Sequence, residues 1–135
     1  MIRQMNSKET NFYFLMGKFF ADRNIAKEMD CQLYNEDGMT WYVYFNKEGK
    51  VCGFASVIEK NRDKEKWYYL DNFYVVKEER GKGIAKEILQ HILNDYSSIY
   101  LISRNEIAIN MFMNYGFVKS GAAKGRYITM EKKDK

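Results

Sequence analysis

Proline, histidine and cysteine are scarce in this chain of 135 residues, which has no proline, one histidine and two cysteines. Without proline or a low-complexity segment, nothing marks a linker, so residues 1–135 are predicted to form one domain. Cys31 and Cys52 are far apart and are expected to be reduced and buried. Because no cluster of His, Cys and acidic residues has the spacing of a metal site, no metal is expected.

Long apolar runs are also missing from the sequence. No stretch approaches the ~20 residues that a membrane-spanning helix needs, and the N-terminus lacks the apolar segment of a secretion signal. These absences predict a soluble, cytoplasmic protein without a membrane partner. The net charge of +4 favours an anionic ligand only mildly. Since the basic residues are scattered and no RNA-binding motif appears, a nucleic acid partner is not expected.

The apolar periodicity predicts an α/β fold. In chain order, the predicted elements are a strand at 2–5, one or two helices within 7–29, strands at 40–46, 51–59 and 67–76, a charged turn at 61–66, a helix from Ile84, a strand at 98–103 buried on both faces, a helix at 105–115, and two strands within 116–132. The strand–helix–strand unit from Trp67 to Ile102 makes its two strands parallel. The sheet is therefore predicted to be mixed and mostly antiparallel, with helices on both faces. In the 105–115 helix, the predicted apolar face is Ile107, Ala108, Met111, Phe112 and Tyr115.

The segment EERGKGIAKEIL, residues 79–90, places glycines and cations where a strand turns into a helix. The first amides of a helix have no partners, and the helix dipole adds positive charge there, so such a turn suits a phosphate. Gly81 and Gly83 let a ligand approach the backbone, while Arg80 and Lys82 add charge. A plain glycine turn with solvated cations is the alternative interpretation.

Neither the Walker nor the dinucleotide pattern is present, but another motif fits this loop. Arg80, Gly83 and Ala85 are spaced as in the acetyl-coenzyme A signature of the GNAT superfamily of N-acetyltransferases, which the chain resembles. The segment NEIAINMFMNYGF resembles the next motif of that family, and YYLDNFYVV resembles its preceding strand. The order of elements agrees over nearly the whole chain.

The resemblance implies a fold and a set of coenzyme-binding residues. Two strands, at 67–76 and 99–102, would splay apart and hold the pantetheine arm of acetyl-CoA, the cosubstrate. The implied coenzyme-binding residues are Phe73, Tyr74, Val75, Arg80, Gly81, Lys82, Gly83, Ile84, Ala85, Asn105 and Phe112. An amine acceptor, either a small molecule or a peptide, would enter from the opposite side, and a homodimer is compatible with the family.

Asp71 is the candidate general base. It precedes Arg80 at the family's acidic position, and strand alternation is predicted to place it on one face with Tyr69, Phe73 and Val75, with Asn72 facing the other way. Burial among aromatic rings would raise its pKa. The alternative is that Asp71 is a solvated or structurally bonded carboxylate.

The sequence departs from the family pattern at the residue that would protonate the leaving thiolate. Many relatives have Tyr at the position of Phe112, which has no hydroxyl. Tyr115 is the candidate to supply the acid instead. The alternative is that Tyr115 is a core residue. Asn105 would contact the pantetheine or simply cap the next helix.

Two other functions fit parts of the sequence. Phe112 favours a non-catalytic module that binds acyl-CoA or regulates a partner, and the positive charge with exposed aromatics suggests a nucleic-acid binder. The predicted acceptor walls are the N-terminal helices and the SGAAKG turn at 120–125. Segment 27–38 is mildly acidic, which slightly favours a cationic amine as acceptor.

Overall fold

The computed structural model describes residues 1–122 and 125–133, with only the backbone of Ala122. In this part, the elements are β1 (Ile2–Met5), α1 (Phe12–Phe20), α2 (Arg23–Met29), β2 (Thr40–Phe45), β3 (Val51–Arg62), β4 (Glu65–Val75), a 3₁₀ turn (Lys77–Glu79), α3 (Ile84–Asp95), β5 (Ile99–Ser103), α4 (Glu106–Asn114), β6 (Val118–Ala122) and β7 (Ile128–Lys132). No helix of the described residues is both long and apolar enough to cross a membrane.

The strands form one sheet in the order β1-β2-β3-β4-β5-β7-β6. Among these neighbours, β4 and β5 pair in parallel, and the other pairs are antiparallel. Helices α1 and α2 pack on one face around Phe12, Trp41 and Phe54. Helices α3 and α4 pack on the other around Ile88 and Phe112. The predicted mixed sheet, with its central crossover and helices on both faces, is confirmed.

Local sequence signals explain where several elements begin and turn. Asp22 caps α2 by accepting hydrogen bonds from the amides of Asn24 and Ile25 at 2.8 and 3.3 Å. Gly49 has a φ of +79° in the predicted hairpin turn between β2 and β3. The predicted turn at 61–66 is too long. The strands extend to Arg62 and from Glu65, because Asp63 and Lys64 both adopt positive φ and close a two-residue hairpin.

Three burial predictions are wrong. Strand β5 is buried on one face only, with Ile102 40% exposed, because none of the described helices packs on its other face. Ile107 is 83% exposed. It lies about 200° around α4 from the buried Ile109, since each residue turns a helix by about 100°. Cys31 is exposed, following the left-handed Asp30 that ends α2, whereas Cys52 is buried as predicted.

Candidate active site

A V-shaped gap separates β4 from β5 in the middle of the sheet. The two strands pair only at Tyr68 with Ile99 and at Tyr69 with Tyr100. Beyond these pairs they diverge, which leaves the β5-facing edge of β4 without a strand partner. A cleft of about 1170 Å³ fills the gap. Because single ligand pockets usually measure about 300–1,000 Å³, this volume suffices for an extended ligand arm and a second molecule.

One end of the cleft lies at the start of α3. Gly81 and Gly83 both have a φ of +82°, and a Cβ atom at either would meet only open space. The first backbone bond of the helix runs from the Glu87 amide to the Gly83 carbonyl at 3.1 Å. None of the described hydrogen bonds uses the amides of residues 81–86. These free amides at the positive end of a helix of 12 residues form a cradle that fits a phosphate.

The cations of this loop are already paired. Lys82 Nζ lies 3.0 Å from a carboxylate oxygen of Glu79. Arg80 reaches back across the cleft, with Nη1 2.6 Å from Glu28 Oε2, and its Nε donates to the Val75 carbonyl at 2.9 Å. The predicted glycine turn is therefore present, but its arginine forms an ion pair with helix α2 and is only partly exposed to solvent.

A bulge in β4 changes the predicted faces of that strand. Phe54 pairs with Tyr74 but Ser56 pairs with Asp71, so β4 carries one extra residue. Asn72 absorbs it with a φ of +51°. Phe73 and Val75 therefore pack toward α3 and α4, whereas Tyr69 packs toward the N-terminal helices. The predicted common face of Asp71 with Phe73 and Val75 is wrong because alternation fails at the bulge.

Asn72 is buried and fully bonded, which the sequence did not indicate. Its side chain donates to Ser56 Oγ at 2.7 Å and to the Tyr34 carbonyl at 3.0 Å, and it accepts from the Tyr34 amide at 3.2 Å. Asp71 and Asn72 both interact with Tyr34, so they do not face opposite sides of the sheet as predicted. This bonding holds the segment around Tyr34 against the bulge.

Asp71 lines the cleft, and its pKa is raised from the ordinary range of an aspartate. Burial is the largest cause, since it disfavours the charged form. Hydrogen bonds from the Asn72 amide and the Tyr34 side chain oppose that shift in pKa. Burial raises the pKa of the Tyr34 and Tyr69 hydroxyls, and the negative charge of Asp71 raises it further. Asp71 is therefore a cleft-lining carboxylate that burial makes more basic than an ordinary aspartate.

The residues predicted from the second motif divide between the cleft and the core. Asn105 caps α4, because its Oδ1 accepts from the Ala108 amide at 3.0 Å, and it also lines the cleft. Phe112 is 4% exposed, lines the cleft, and contacts Phe73 and Phe117 with ring centroids 5.9 and 5.5 Å apart. Tyr115 packs against the core outside the cleft lining.

The predicted acceptor walls contain charged contacts that the sequence did not indicate. Asp30 lies 2.9 Å from Arg104 and accepts a hydrogen bond from Tyr127 at 3.0 Å. Together with the Glu28–Arg80 pair, this contact joins the end of α2 to the segments that follow both β4 and β5. Glu28, Arg80, Arg104 and Tyr127 line the cleft, and Asp30 lies between the lining residues Met29 and Cys31. In the predicted SGAAKG wall, Ala123 and Lys124 lie outside the described residues.

Replacing Asn72 with Ala should lower the free energy of unfolding by about 1–3 kcal/mol, because the Tyr34 backbone loses both of its bonds to the Asn72 side chain and Ser56 Oγ loses its donor. Urea denaturation measures this loss. Asn61→Ala, at an exposed position of β3, is the control and should change little. An equal denaturation midpoint for Asn72→Ala and the wild type would show that these bonds do not hold the Tyr34 segment.

Comparisons with known proteins agree with this arrangement. The model of the acetyltransferase (GNAT) family matches residues 3–117. A curated relative, "Probable spermine N(1)-acetyltransferase" of Bacillus subtilis subsp. natto, is 28% identical over 110 residues, covering 71% of this chain and 66% of that protein. The chain thus spans slightly less than two thirds of the length of this relative.

Solved structures share the fold at low identity. An acyl-CoA N-acyltransferase from Pseudomonas aeruginosa has a TM-score of 0.74 and 12% identity, covering 98% of each chain. A NatC complex bound to Gag peptide and CoA has a TM-score of 0.72 and 15% identity, covering 100% of this chain and 98% of that chain. Arabidopsis thaliana Naa50, in complex with a bisubstrate analogue, has a TM-score of 0.63 and 19% identity, covering 99% of both chains.

Proposed function

Because the chain belongs to the acetyltransferase (GNAT) family, we propose that it transfers an acetyl group from acetyl-CoA to a primary amine. The observation that carries this proposal is the continuity of the cleft. It runs from the loop of Arg80 and Ala85, along the unpaired edge of β4, to Asp71. A phosphate site, a channel for an extended arm and a basic carboxylate thus follow one another in the order that acyl transfer from a coenzyme thioester needs.

The cradle and the β4 edge hold the coenzyme in this proposal. The amides of residues 81–85 bind the pyrophosphate, with Arg80 and Lys82 adding charge. The pantetheine arm lies along Phe73, Tyr74 and Val75 and pairs with their backbone. Phe112 and Asn105 form the opposite wall. The NatC complex and Naa50 were solved with CoA or a CoA analogue, which supports acetyl-CoA as the cosubstrate.

Direct attack in a ternary complex is the proposed chemistry. The amine nitrogen attacks the thioester carbonyl, a C–N bond forms, the C–S bond breaks, and the electron pair leaves with the CoA thiolate. Positioning of the two reactants supplies much of the rate. A free alkylamine has a pKa of roughly 10.4, so the attacking nitrogen must lose a proton. Asp71, directly or through water, accepts that proton.

No tyrosine hydroxyl from α4 serves as the acid in this proposal. Phe112 carries none, and Tyr115 lies outside the cleft lining, so the predicted acid role of Tyr115 has no geometric support. The CoA thiolate leaves unaided or takes a proton from water. Amine deprotonation and attack are therefore the harder steps.

The acceptor is proposed to be a cationic amine. Glu28, Asp71 and Glu106 line the cleft, and carboxylates attract ammonium groups at a range set by the salt concentration. The relative from Bacillus is named for spermine, a polyamine, which supports the same class. The peptide-bound NatC neighbour supports a peptide N-terminus as the second class to try.

Thiol release from acetyl-CoA with a panel of amines tests the function. The panel contains polyamines, a lysine-bearing peptide, peptides with free N-termini and small monoamines. Acceptor-dependent release, with the acetylated product identified by mass spectrometry, supports the proposal. Tight CoA binding without release for any amine would instead establish the non-catalytic acyl-CoA-binding module that Phe112 favours.

Phe112→Tyr should raise turnover by less than about 10-fold, because thiolate departure is not the limiting step. The change is nearly isosteric, and position 112 lines the cleft, so the variant should fold and bind CoA as the wild type does. Steady-state kinetics with a saturating amine measures the effect. A larger gain would show that the wild type is limited by the missing acid. Loss of folding would place residue 112 in a sealed core and contradict the motif alignment.

A further inference from the structure

Arg80 occupies two positions that the proposed coenzyme also requires. Its Nε bonds the Val75 carbonyl at 2.9 Å, on the strand edge assigned to the pantetheine arm. Its Nη1 lies 2.6 Å from the Glu28 carboxylate, so the guanidinium assigned to pyrophosphate is already paired with an anion. The guanidinium also stacks 5.3 Å from the Tyr74 ring centroid. Protein groups thus occupy both positions: the Glu28 carboxylate lies on the guanidinium, and Arg80 Nε donates to the Val75 carbonyl.

Glu28 is well suited to replace a phosphate at Arg80. Carboxylate and phosphate oxygens both make charge-assisted hydrogen bonds to guanidinium, so the two anions compete for the same donors. The contact joins residues 52 positions apart in the chain, and both side chains remain about 40% exposed. Ion pairs with that exposure are weak, so a phosphate that also bonds the free amides of the cradle can displace the carboxylate.

We propose that coenzyme binding exchanges Glu28 for pyrophosphate on Arg80, and that the freed Glu28 carboxylate then binds a second ammonium group of the acceptor. This inference rests on the proposed acetyl-transfer function. It makes Glu28 a specificity-determining residue for diamines and polyamines over monoamines. It also makes acceptor recognition depend on prior loading of the coenzyme.

The surroundings of Glu28 keep its carboxylate at the cleft once Arg80 has left. The Tyr74 hydroxyl donates to Glu28 Oε1 at 3.1 Å, and the Tyr74 ring packs against the buried Phe54 at 5.8 Å. Tyr74 stands three positions after Asp71 on β4, about 10 Å for a regular strand and less across a bulge. Because Glu28 and Asp71 both line the cleft, a diamine can reach from the base to Glu28, and a series of diamine lengths measures the spacing between them.

Asp30 does not compete for this role. Its carboxylate already bonds Arg104 and Tyr127, neither of which belongs to the proposed phosphate site. Coenzyme loading therefore changes the charge balance at Glu28 and leaves Asp30 paired. Of the two carboxylates near the C-terminal end of α2, Glu28 and Asp30, Glu28 lines the cleft and is the one that loses its cation.

Glu28→Gln tests the exchange, with Glu36→Gln as the matched control. Glu36 forms a comparable exposed pair with Lys60 at 3.8 Å and lies outside the cleft lining. Calorimetry with CoA should show Glu28→Gln binding about 2- to 5-fold more tightly than the wild type, since a competing ion pair is gone. In kinetics, the ratio of kcat/KM for a diamine over the monoamine of equal length should fall about 10-fold. Diamines of increasing length locate the best spacing.

Glu28→Gln is expected to tighten CoA binding and to weaken diamine recognition. A purely structural role of Glu28 would weaken both, so the opposite signs of the two effects distinguish the roles. Unchanged or weaker CoA binding by Glu28→Gln would overturn the exchange. An unchanged diamine-to-monoamine ratio would overturn the recognition of a second ammonium by Glu28. Failure of the wild type to bind CoA would instead overturn the proposed function, so the two failures are distinguishable.

Discussion

Asp71→Asn is expected to lower turnover by about 10²-fold at neutral pH while CoA binding persists. The amide keeps the size of the carboxyl group but cannot accept the proton of the attacking amine. The raised pKa of Asp71, caused mainly by burial, makes the wild-type carboxylate a stronger base than an ordinary aspartate. Steady-state kinetics with a saturating amine, combined with calorimetry of CoA binding, measures both parts of this expectation.

The loss should depend on pH in a defined direction. The wild-type rate rises as Asp71 ionises, above the ordinary aspartate range because its pKa is raised. The variant lacks that rise. Toward roughly pH 10.4 the amine deprotonates unaided, so the difference between the two proteins should shrink. Profiles of parallel shape would remove Asp71 from the mechanism, and Asp63→Asn, in the exposed β3–β4 turn, provides the control.

The melting temperature of Asp71→Asn distinguishes loss of the base from damage to the fold. In the unfolded chain an aspartate has a pKa of about 3.9. In the folded protein the pKa of Asp71 lies above that value, so its ionisation costs stability as pH rises through this window. Asparagine does not ionise. Asp71→Asn should therefore melt at a higher temperature than the wild type at neutral pH, with the difference vanishing below about pH 4.

The backbone of the loop at 79–90 is predictable from the sequence because its signals are local. Gly81 and Gly83 adopt the positive φ that glycine favours, and the apolar period that begins at Ile84 marks the first residue of α3. Each feature depends on neighbours within one or two helical turns. The strand–helix–strand crossover follows equally from the order of local patterns and the handedness rule.

The acceptor side is not predictable in the same way. The face of Asp71 depends on a bulge that Asn72 supports through Ser56 and Tyr34, which lie 16 and 38 positions away. Strand alternation contains no information about such a contact. The loop sequence likewise indicates that Arg80 is a phosphate ligand. Its ion-pair partner Glu28 is brought near only by the packing of α2. The residues to which we assign acceptor choice are therefore those whose neighbours are distant in sequence.

Gly83→Val is expected to weaken CoA binding by about 5- to 150-fold, because an intruding side chain at a close contact costs about 1–3 kcal/mol. The space that a Cβ atom would enter at this position is open in the protein and is assigned to the pyrophosphate. Calorimetry with CoA measures the loss directly and does not depend on knowing the acceptor.

Backbone strain is the competing explanation for such a loss, and Gly49 controls for it. Gly49 has a φ of +79°, close to the +82° of Gly83, and a Cβ atom there also meets open space. Valine should therefore strain both turns by a similar amount, seen as similar reductions in melting temperature. Only Gly83→Val should lose affinity for CoA, since Gly49 lies in the β2–β3 hairpin. If Gly83→Val binds CoA like the wild type, the pyrophosphate lies elsewhere. If Gly49→Val loses affinity equally, strain and not the cradle governs binding.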